Sequence, residues 1–284
     1  MTFGSAVLLA AVTVCTWNGE WFPSGRAEHR DTPENEARTI AAAARMLSDG
    51  FARVDPAGTN DLILCLNEIR NPLVADSLVK AIGRTNLSVA VISGYRRRDR
   101  FDMQQDVIAT TLPVVEANWS TWRNARAATP PRGYAHANVL ISPTVTASVY
   151  AVHLKSNYGQ TTEAQAVTNR LKRTLAIGQL LAQEKPKRGR ASNPMIIAGD
   201  MNADKWDSAF AQETIFTALA KARFTDPLER LDPRARVTHP GRGRFGDSVL
   251  DYVFIRLLQC VGSPLVLPAE GLSDHNPVFV VVKP

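Results

Sequence analysis

A chain of 284 residues with 45% hydrophobic and 21% charged residues, 17 Gly and 17 Pro excludes collagen-like, coiled-coil and wholly disordered classes and leaves a globular protein. At this length one domain over 1–284 is expected, since layered α/β domains commonly reach that size. Thirty-three Lys+Arg against 27 Asp+Glu leave a formal charge of +6, which turns the search for a partner toward an anion: nucleic acid, a phosphorylated small molecule or a lipid headgroup.

The apolar run 6–15 is too short to span a bilayer and lacks the basic flank of a secretory signal. Residues 1–10 are therefore read as a leader-like or peripheral segment, with cytoplasmic and secreted or periplasmic placement both open. Residues 11–16 read as a strand. Thr32 can cap a helix whose first position is Pro33; Ala37, Ile40, Ala41, Ala44 and Leu47 form its apolar face, and Gly50 can end it. A strand at 62–66 precedes a second helix that opens at Asn71 and Pro72, turns Val74, Leu78 and Ile82 inward and stops at Gly83. Strands follow at 87–92, 107–111, 137–141 and 148–154.

A third helix starts at Thr161 or Thr162, with Val167, Leu171, Leu175, Gly178 and Leu181 inward and Arg170, Lys172 and Arg173 in solvent. After a strand at 195–198, a fourth helix is expected beyond Asp204 with Trp206, Phe210 and Leu219 inward; strands at 249–255 and 277–282 complete the chain. Strands covered by helices on their outer faces indicate a layered α/β architecture. Three cysteines, Cys15, Cys65 and Cys260, lack disulfide or metal spacing and are read as buried thiols. Basic clusters at Arg96, Arg97, Arg98 and Arg100, at 185–190, and at Arg242 and Arg244 are read as solvated loop charge. The segment 118–132, with Trp119, Trp122, Arg123 and Arg126, is the aromatic-basic stretch suited to nucleic acid, with packing against a helix as its alternative reading.

The strand ends carry the chemistry. The first ends at Asn18 with Glu20 just beyond, and the second at Asn67 and Glu68. Others run into His153, Lys155 and Asn157, into Asp200 and Asn202, and into Asp251; Asp274 and His275 precede the last strand. If these ends converge, four carboxylates (Glu68, Asp200, Asp251, Asp274), two amides (Asn18, Asn202) and two imidazoles (His153, His275) share one cleft. Carboxylate and amide oxygens without a thiolate cluster favour Mg²⁺, Mn²⁺ or Ca²⁺ over zinc, and Mg²⁺ needs only one or two carboxylates, so Glu68 with Asn18 or Asp274 suffices. A carboxylate behind His275 would fix its tautomer. His29, His136 and His239 are read as non-catalytic, although His239 and Arg132 are placed to line the cleft.

Six blocks in this order, Thr16-Trp17-Asn18, Asn67-Glu68, His153-Leu154-Lys155-Ser156, Gly199-Asp200-Met201-Asn202-Ala203-Asp204, Leu250-Asp251-Tyr252 and Ser273-Asp274-His275-Asn276-Pro277, resemble the endonuclease/exonuclease/phosphatase superfamily. It includes pancreatic-type deoxyribonucleases, abasic-site endonucleases, sphingomyelinases and inositol polyphosphate phosphatases. The resemblance implies a four-layer αββα sandwich of two mostly antiparallel sheets with the active site at one sheet edge. It implies Glu68 as metal ligand with Asn18 and Asp274 near, Asp200 to activate or orient water, Asn202 to hold water and phosphate, and His275, oriented by Asp251, together with His153 on the phosphoryl oxygens. Glu20 stands where some members carry an acid near the metal. Tyr150 matches a tyrosine of abasic-site enzymes but falls on the opposite face of a regular strand from His153. Lys155, Asn157 and Arg132 are candidate substrate contacts.

The expected activity is divalent-metal-dependent hydrolysis of phosphodiesters by in-line displacement, with either Asp200 or the Asp251–His275 pair as base. Nucleic acid is the favoured substrate and a monomer the expected state. A phosphatase or phospholipase C-type enzyme acting on inositol phosphates or sphingomyelin, and a non-catalytic binding module, are the other readings. No Trp adjoins the 250–252 strand in sequence to build an abasic-sugar pocket.

Overall fold

The computed structural model describes residues 11–25, 31–97, 100–183, 193–241 and 246–284. The leader-like segment 1–10, His29, Arg98, the 185–190 cluster, Arg242 and Arg244 lie outside the described residues. In chain order the elements are β1 (Val12–Phe22), α1 (Pro33–Val54), β2 (Asp61–Ile69), α2 (Pro72–Ile82), β3 (Ser88–Ile92), β4 (Arg96–Arg97), β5 (Arg100–Phe101), β6 (Gln105–Thr110) and β7 (Val114–Thr121). There follow β8 (Gly133–Ser142), β9 (Val145–His153), α3 (Glu163–Gln183), β10 (Met195–Asp200), α4 (Ile215–Lys221), β11 (Asp251–Arg256), β12 (Gln259–Val266) and β13 (Val278–Lys283).

A six-stranded sheet, β12-β13-β1-β2-β6-β3, faces a five-stranded sheet, β11-β10-β9-β8-β7, and β4 pairs with β5 as a small separate hairpin. Period-two alternation assigns the faces. Val12, Val14, Ile63 and Cys65 join the core shared with the second sheet, whereas Cys15, Trp17, Leu62, Leu64 and Leu66 pack with α1 and α2 residues such as Leu47, Phe51 and Leu78. On the far side, Ala176, Ile177 and Leu180 of α3 and Leu219 of α4 cover the five-stranded sheet. The result is the expected four-layer sandwich of helices, sheet, sheet and helices. Among the described residues no helix is long and apolar enough to cross a membrane.

Two pairings are parallel, β1 with β2 and β9 with β10; the other pairings within the two large sheets are antiparallel. Parallel neighbours need a crossover, and α1 and α3 supply it. Each crossover brings two carboxyl strand ends to one rim, where open α/β sheets commonly hold ligands.

Helix starts follow the expected capping: Thr32 Oγ1 accepts from Asn35 N at 3.2 Å and Asn71 Oδ1 from Val74 N at 3.0 Å, while Gly83 closes α2 with φ +73°. Several inward faces differ from expectation. Gly50 does not end α1 but lies inside it, because a Cβ there would stand 2.1 Å from the Phe279 ring, so glycine is what allows close packing on β13. Ala37 is exposed and the buried stripe runs through Ala43, Ala44, Met46, Leu47 and Phe51.

On α3 the stripe is Asn169, Arg173, Ala176, Ile177 and Leu180, leaving Val167 and Gly178 exposed. Arg173 is buried instead of solvated because Glu213, equally buried, ion-pairs with it. After Asp204 the chain makes a 3₁₀ turn at Ser208–Phe210 before α4. Asp204 is occupied by Trp206 N and Val249 N, both at 2.8 Å, and so caps no helix. Cys260 is only half-buried, unlike Cys15 and Cys65.

Candidate active site

The rim is built from backbone that ordinary residues avoid. Left-handed φ angles of +50° at Glu20, +59° at Trp21 and +59° at Glu68 close β1 and β2, one of +51° at Asn202 follows β10, and one of +63° at Arg132 precedes β8. Such conformations persist only where surrounding contacts enforce them, and they gather at functional sites. Gly199, with φ +139°, is required before Asp200, since a Cβ there would stand 1.9 Å from the Val152 carbonyl oxygen.

Asp200 is the hub of the first half. Its Oδ2 accepts from Asn18 Nδ2 at 3.0 Å and Asn202 Nδ2 at 2.8 Å, and its Oδ1 from Asn202 N at 2.8 Å. Asn18 Nδ2 also reaches Glu68 Oε1 at 3.3 Å, while Asn18 Oδ1 accepts from Glu20 N at 3.0 Å. Glu68 Oε2 is held by Trp21 N at 3.1 Å. His153 Nε2 faces both carboxylates, 3.6 Å from Glu68 and 3.5 Å from Asp200, and its buried Nδ1 has no hydrogen-bond partner among the described residues. Burial, followed by the charges of Arg132, His275 and Lys155, holds His153 well below the usual imidazole range, so the ring is neutral. Burial likewise pushes Asp200 up to about 7, against the pull of His275 and the hydrogen bonds from Asn202 and Asn18.

A support missed by the sequence reading lies behind Asp200. Asn67 Oδ1 accepts from Asp200 N at 3.0 Å and Asn67 Nδ2 donates to Asp106 Oδ1 at 2.7 Å, while Tyr95 Oη donates to Asp106 Oδ2 at 2.9 Å. Burial raises the Asp106 carboxyl to about 7 despite these donors. No local pattern announces this chain of contacts, because its members come from β2, β6, β10 and the segment before β4.

The second half comes from the loop before β13. His275 Nδ1 lies 2.7 Å from Asp251 Oδ2, and Nε2 lies 4.0 Å from Asp200 and 3.7 Å from Asp274. Burial opposes a charge on this ring more than any single neighbour favours it. Asp251, Asp200 and Asp274 together outweigh burial and raise it to about 10. The loop is stitched to β1: Trp17 Nε1 donates to the His275 carbonyl at 3.0 Å, and Ser273 Oγ donates to the Asn18 carbonyl at 2.7 Å while accepting from His275 N at 3.0 Å. Thr238 Oγ1 accepts from Asp251 N at 3.0 Å.

Asp274 shares the rim but turns its carboxylate toward histidines; its N–H donates to Glu20 Oε2 at 2.9 Å. His239, set aside in the sequence reading, stands beside it with Nε2 3.8 Å from Asp274 Oδ2, and its ring lies 4.9 Å from that of His275.

The candidate substrate contacts are more occupied. Arg132 donates to the carbonyls of His153 and Leu154 at 3.2 and 2.8 Å, bracing the β9 end from behind. Asn157 Oδ1 accepts from Arg173 at 3.0 Å and Lys155 Nζ donates to the Ser156 carbonyl at 2.5 Å. Tyr150 packs in the core, as the face argument requires. Trp122 is buried against Tyr134, so that half of the aromatic-basic segment packs, whereas Trp119 keeps an exposed face and meets Tyr95 edge-on at 5.8 Å. A Trp does adjoin the 250–252 strand in space: Trp206 stacks on Tyr252 with centroids 6.0 Å apart, a proximity that sequence separation hides.

Similar folds occur among solved structures, of which three illustrate the range. An endonuclease/exonuclease/phosphatase family protein from Leptotrichia buccalis C-1013-b is 15% identical with a TM-score of 0.64, over 96% of this chain and 99% of that one. D. rerio TDP2 complexed with single strand DNA product is 16% identical with a TM-score of 0.62 over the same shares. Sphingomyelinase C from Streptomyces griseocarneus is 18% identical with a TM-score of 0.59, over 95% and 99%. No curated protein sequence matches the chain. Residues 15–275 match the Endonuclease/Exonuclease/phosphatase family, a span that takes in both halves of the rim from Asn18 to His275. The chain therefore belongs to that family, whose members are hydrolases acting on phosphoester bonds.

Proposed function

We propose that the protein is a divalent-metal-dependent phosphodiesterase that hydrolyses nucleic acid. The observation that carries this reading is the buried cluster in which His153 Nε2 sits within 3.6 Å of both Glu68 and Asp200, while His275 closes the same cleft on Asp251. Apart from the His153 nitrogen, the potential ligands around Glu68 are carboxylate and amide oxygens, which suit a hard cation. Glu68 and Asn18 would hold it, with Asp274 at the edge. A bound divalent ion supplies positive charge to the phosphoryl oxygens.

The chain's own residues do the rest. Asp200, its oxygens aimed by Asn18 and Asn202, takes the proton of the attacking water. His275 has three carboxylates around its ring, which hold it as an imidazolium, so it serves as a cationic donor to a phosphoryl oxygen instead of as the base. Neutral His153 faces the same group, and Asn202 positions water and phosphate.

Nucleic acid is favoured by what surrounds the cleft. The β4–β5 hairpin presents exposed Arg96, Arg97, Arg100 and Phe101, and Tyr95 at its base bonds Asp106 within the support of Asp200. Arg123 and Arg126 are exposed as well. Cations interleaved with an aromatic face fit a phosphate backbone with stackable bases, and the TDP2 structure holds a single-stranded DNA product.

The test is a substrate panel of single-stranded DNA, plasmid, RNA, sphingomyelin and inositol polyphosphates with Mg²⁺, Mn²⁺ or Ca²⁺, each repeated in EDTA and with Glu68→Ala. Cleavage of nucleic acid that disappears in EDTA and in the variant is expected. Turnover confined to sphingomyelin or inositol phosphates, or full activity in EDTA, would overturn the reading.

A further inference from the structure

Two donor sets of different chemical character share the rim. Around Glu68 the potential ligands are mainly oxygens with one imidazole, His153, 3.6 Å away; around Asp274 they are a carboxylate flanked by two imidazoles. A ring nitrogen of His239, a carboxylate oxygen of Asp274 and a ring nitrogen of His275 lie within 4.8 Å of one another. We propose that His239, Asp274 and His275 form a second cation site, selective for a transition ion such as Zn²⁺, and that its occupancy silences the hydrolase.

Geometry and local structure support the site. Two ligands about 2.1 Å from a tetrahedral Zn²⁺ stand about 3.4 Å apart. Asp274 Oδ2 lies 3.8 Å from His239 Nε2 and Asp274 Oδ1 lies 3.7 Å from His275 Nε2, so the two imidazoles meet different oxygens of one carboxylate, and a turn of that carboxylate presents it to an ion between them. The widest separation, at most 4.8 Å, closes by rotating the half-buried side chains of His239 and Asp274. Their backbones are already fixed. His239 exchanges both hydrogen bonds with Ser248, at 2.9 Å each. Asn276 N donates to the Thr238 carbonyl at 2.6 Å and Asn276 Nδ2 to the Val237 carbonyl at 3.1 Å, zipping the 237–239 segment to the loop that carries Asp274.

His275 also has the outer support that metal-binding imidazoles use. Asp251 takes Nδ1 at 2.7 Å and directs Nε2 at the site; the ion displaces the proton that Nε2 carries in the imidazolium, so binding releases one proton to solvent. Two imidazoles and one carboxylate with an open fourth position form a borderline-soft set that Zn²⁺ accepts readily and Mg²⁺ does not. The binding claim is independent of the proposed activity. The silencing claim rests on it, because the ion would take the His275 nitrogen that the mechanism assigns to the phosphoryl oxygen.

The test uses the full chain in saturating Mg²⁺, with Zn²⁺ binding read by calorimetry and Co²⁺ binding by visible d–d absorption. The wild type should bind Zn²⁺ and give imidazole-type cobalt bands. His239→Gln and Asp274→Asn should each weaken Zn²⁺ binding at least about tenfold and remove the cobalt bands. Zn²⁺ should suppress DNA hydrolysis in parallel with binding, with the inhibition curve of His239→Gln displaced at least about tenfold toward higher zinc. Absence of Zn²⁺ binding under Mg²⁺, or equal binding by both variants and wild type, would overturn the site. Bound Zn²⁺ that leaves turnover unchanged or raises it would overturn the silencing. Calorimetry and absorption need no turnover, so an inactive protein would count against the hydrolase reading and leave the site readable.

Discussion

His153 and His275 stand on opposite sides of one cleft, both buried, both within 4.0 Å of the same Asp200 oxygen, yet their charges are set in opposite senses. His153 ends a strand with no partner on Nδ1 among the described residues and with Arg132, His275 and Lys155 in its field, so burial discharges it. His275 rides on a loop pinned by Trp17 and Ser273, with Asp251 seated on one nitrogen and Asp274 beside the other, so the carboxylates overcome burial and charge it. Burial alone does not decide ionisation: both rings face carboxylates, but His153 stands 3.5 and 3.6 Å from its two, whereas His275 is hydrogen-bonded to Asp251 at 2.7 Å. A phosphoryl group between these rings would meet one neutral and one cationic donor, an asymmetry suited to a reaction in which one oxygen gains charge.

Removing the charged side should have the largest effect. His275→Ala should lower hydrolysis by roughly 10²–10⁴-fold with circular dichroism unchanged, because the ring lies at the rim while the sheets are held by their own cores. An active variant would show that the cationic side is dispensable.

Asp106 allows the burial side of the contrast to be tested without touching either ring. Its carboxyl binds a proton more tightly in the fold, at about 7, than unfolded, at 3.8. Its contribution to stability is therefore fully present below pH 3.8 and is lost as pH rises to about 7, by at most roughly 4 kcal/mol. Urea unfolding of Asp106→Asn should show a shallower decline over this range than the wild type. The comparison reads the slope, since the substitution also shifts the offset by disturbing the Asn67 and Tyr95 bonds. Parallel profiles would mean that Asp106 is ionised in the fold across the range.

A smaller change sharpens the asymmetry. Asp251→Asn keeps the shape of the carboxylate but removes its charge, so His275 should titrate well below 10, and turnover should fall about 10–100-fold, the usual cost of losing an outer-shell partner. An unchanged titration would place the origin of the charge elsewhere.

Much of this rim was legible in the sequence because a strand end has no packing use for Asn18, Glu68, His153 or Asp200, and polar residues there stand out against apolar runs. What escaped has its meaning in partners from other elements. Arg173 looks solvated on its own helix and is buried only because Glu213 meets it. Asn67 stands out as a polar strand end, but its partner Asp106 looks unremarkable until β2 and β6 bring the two together behind Asp200. His239 reads as a loop histidine until Asn276 ties its segment to the one bearing Asp274. Gly50 has the composition of a helix end, but the ring of Phe279 requires it within the helix. Periodicity locates elements and their polar ends; it carries no information about which distant side chain will satisfy a buried charge.

The most direct measurement is an NMR titration of the two imidazoles in the metal-free protein. His275 should remain protonated into the alkaline range, changing state near pH 10, while His153 stays neutral down to well below 6.5. Two rings titrating together near 6.5 would contradict the account.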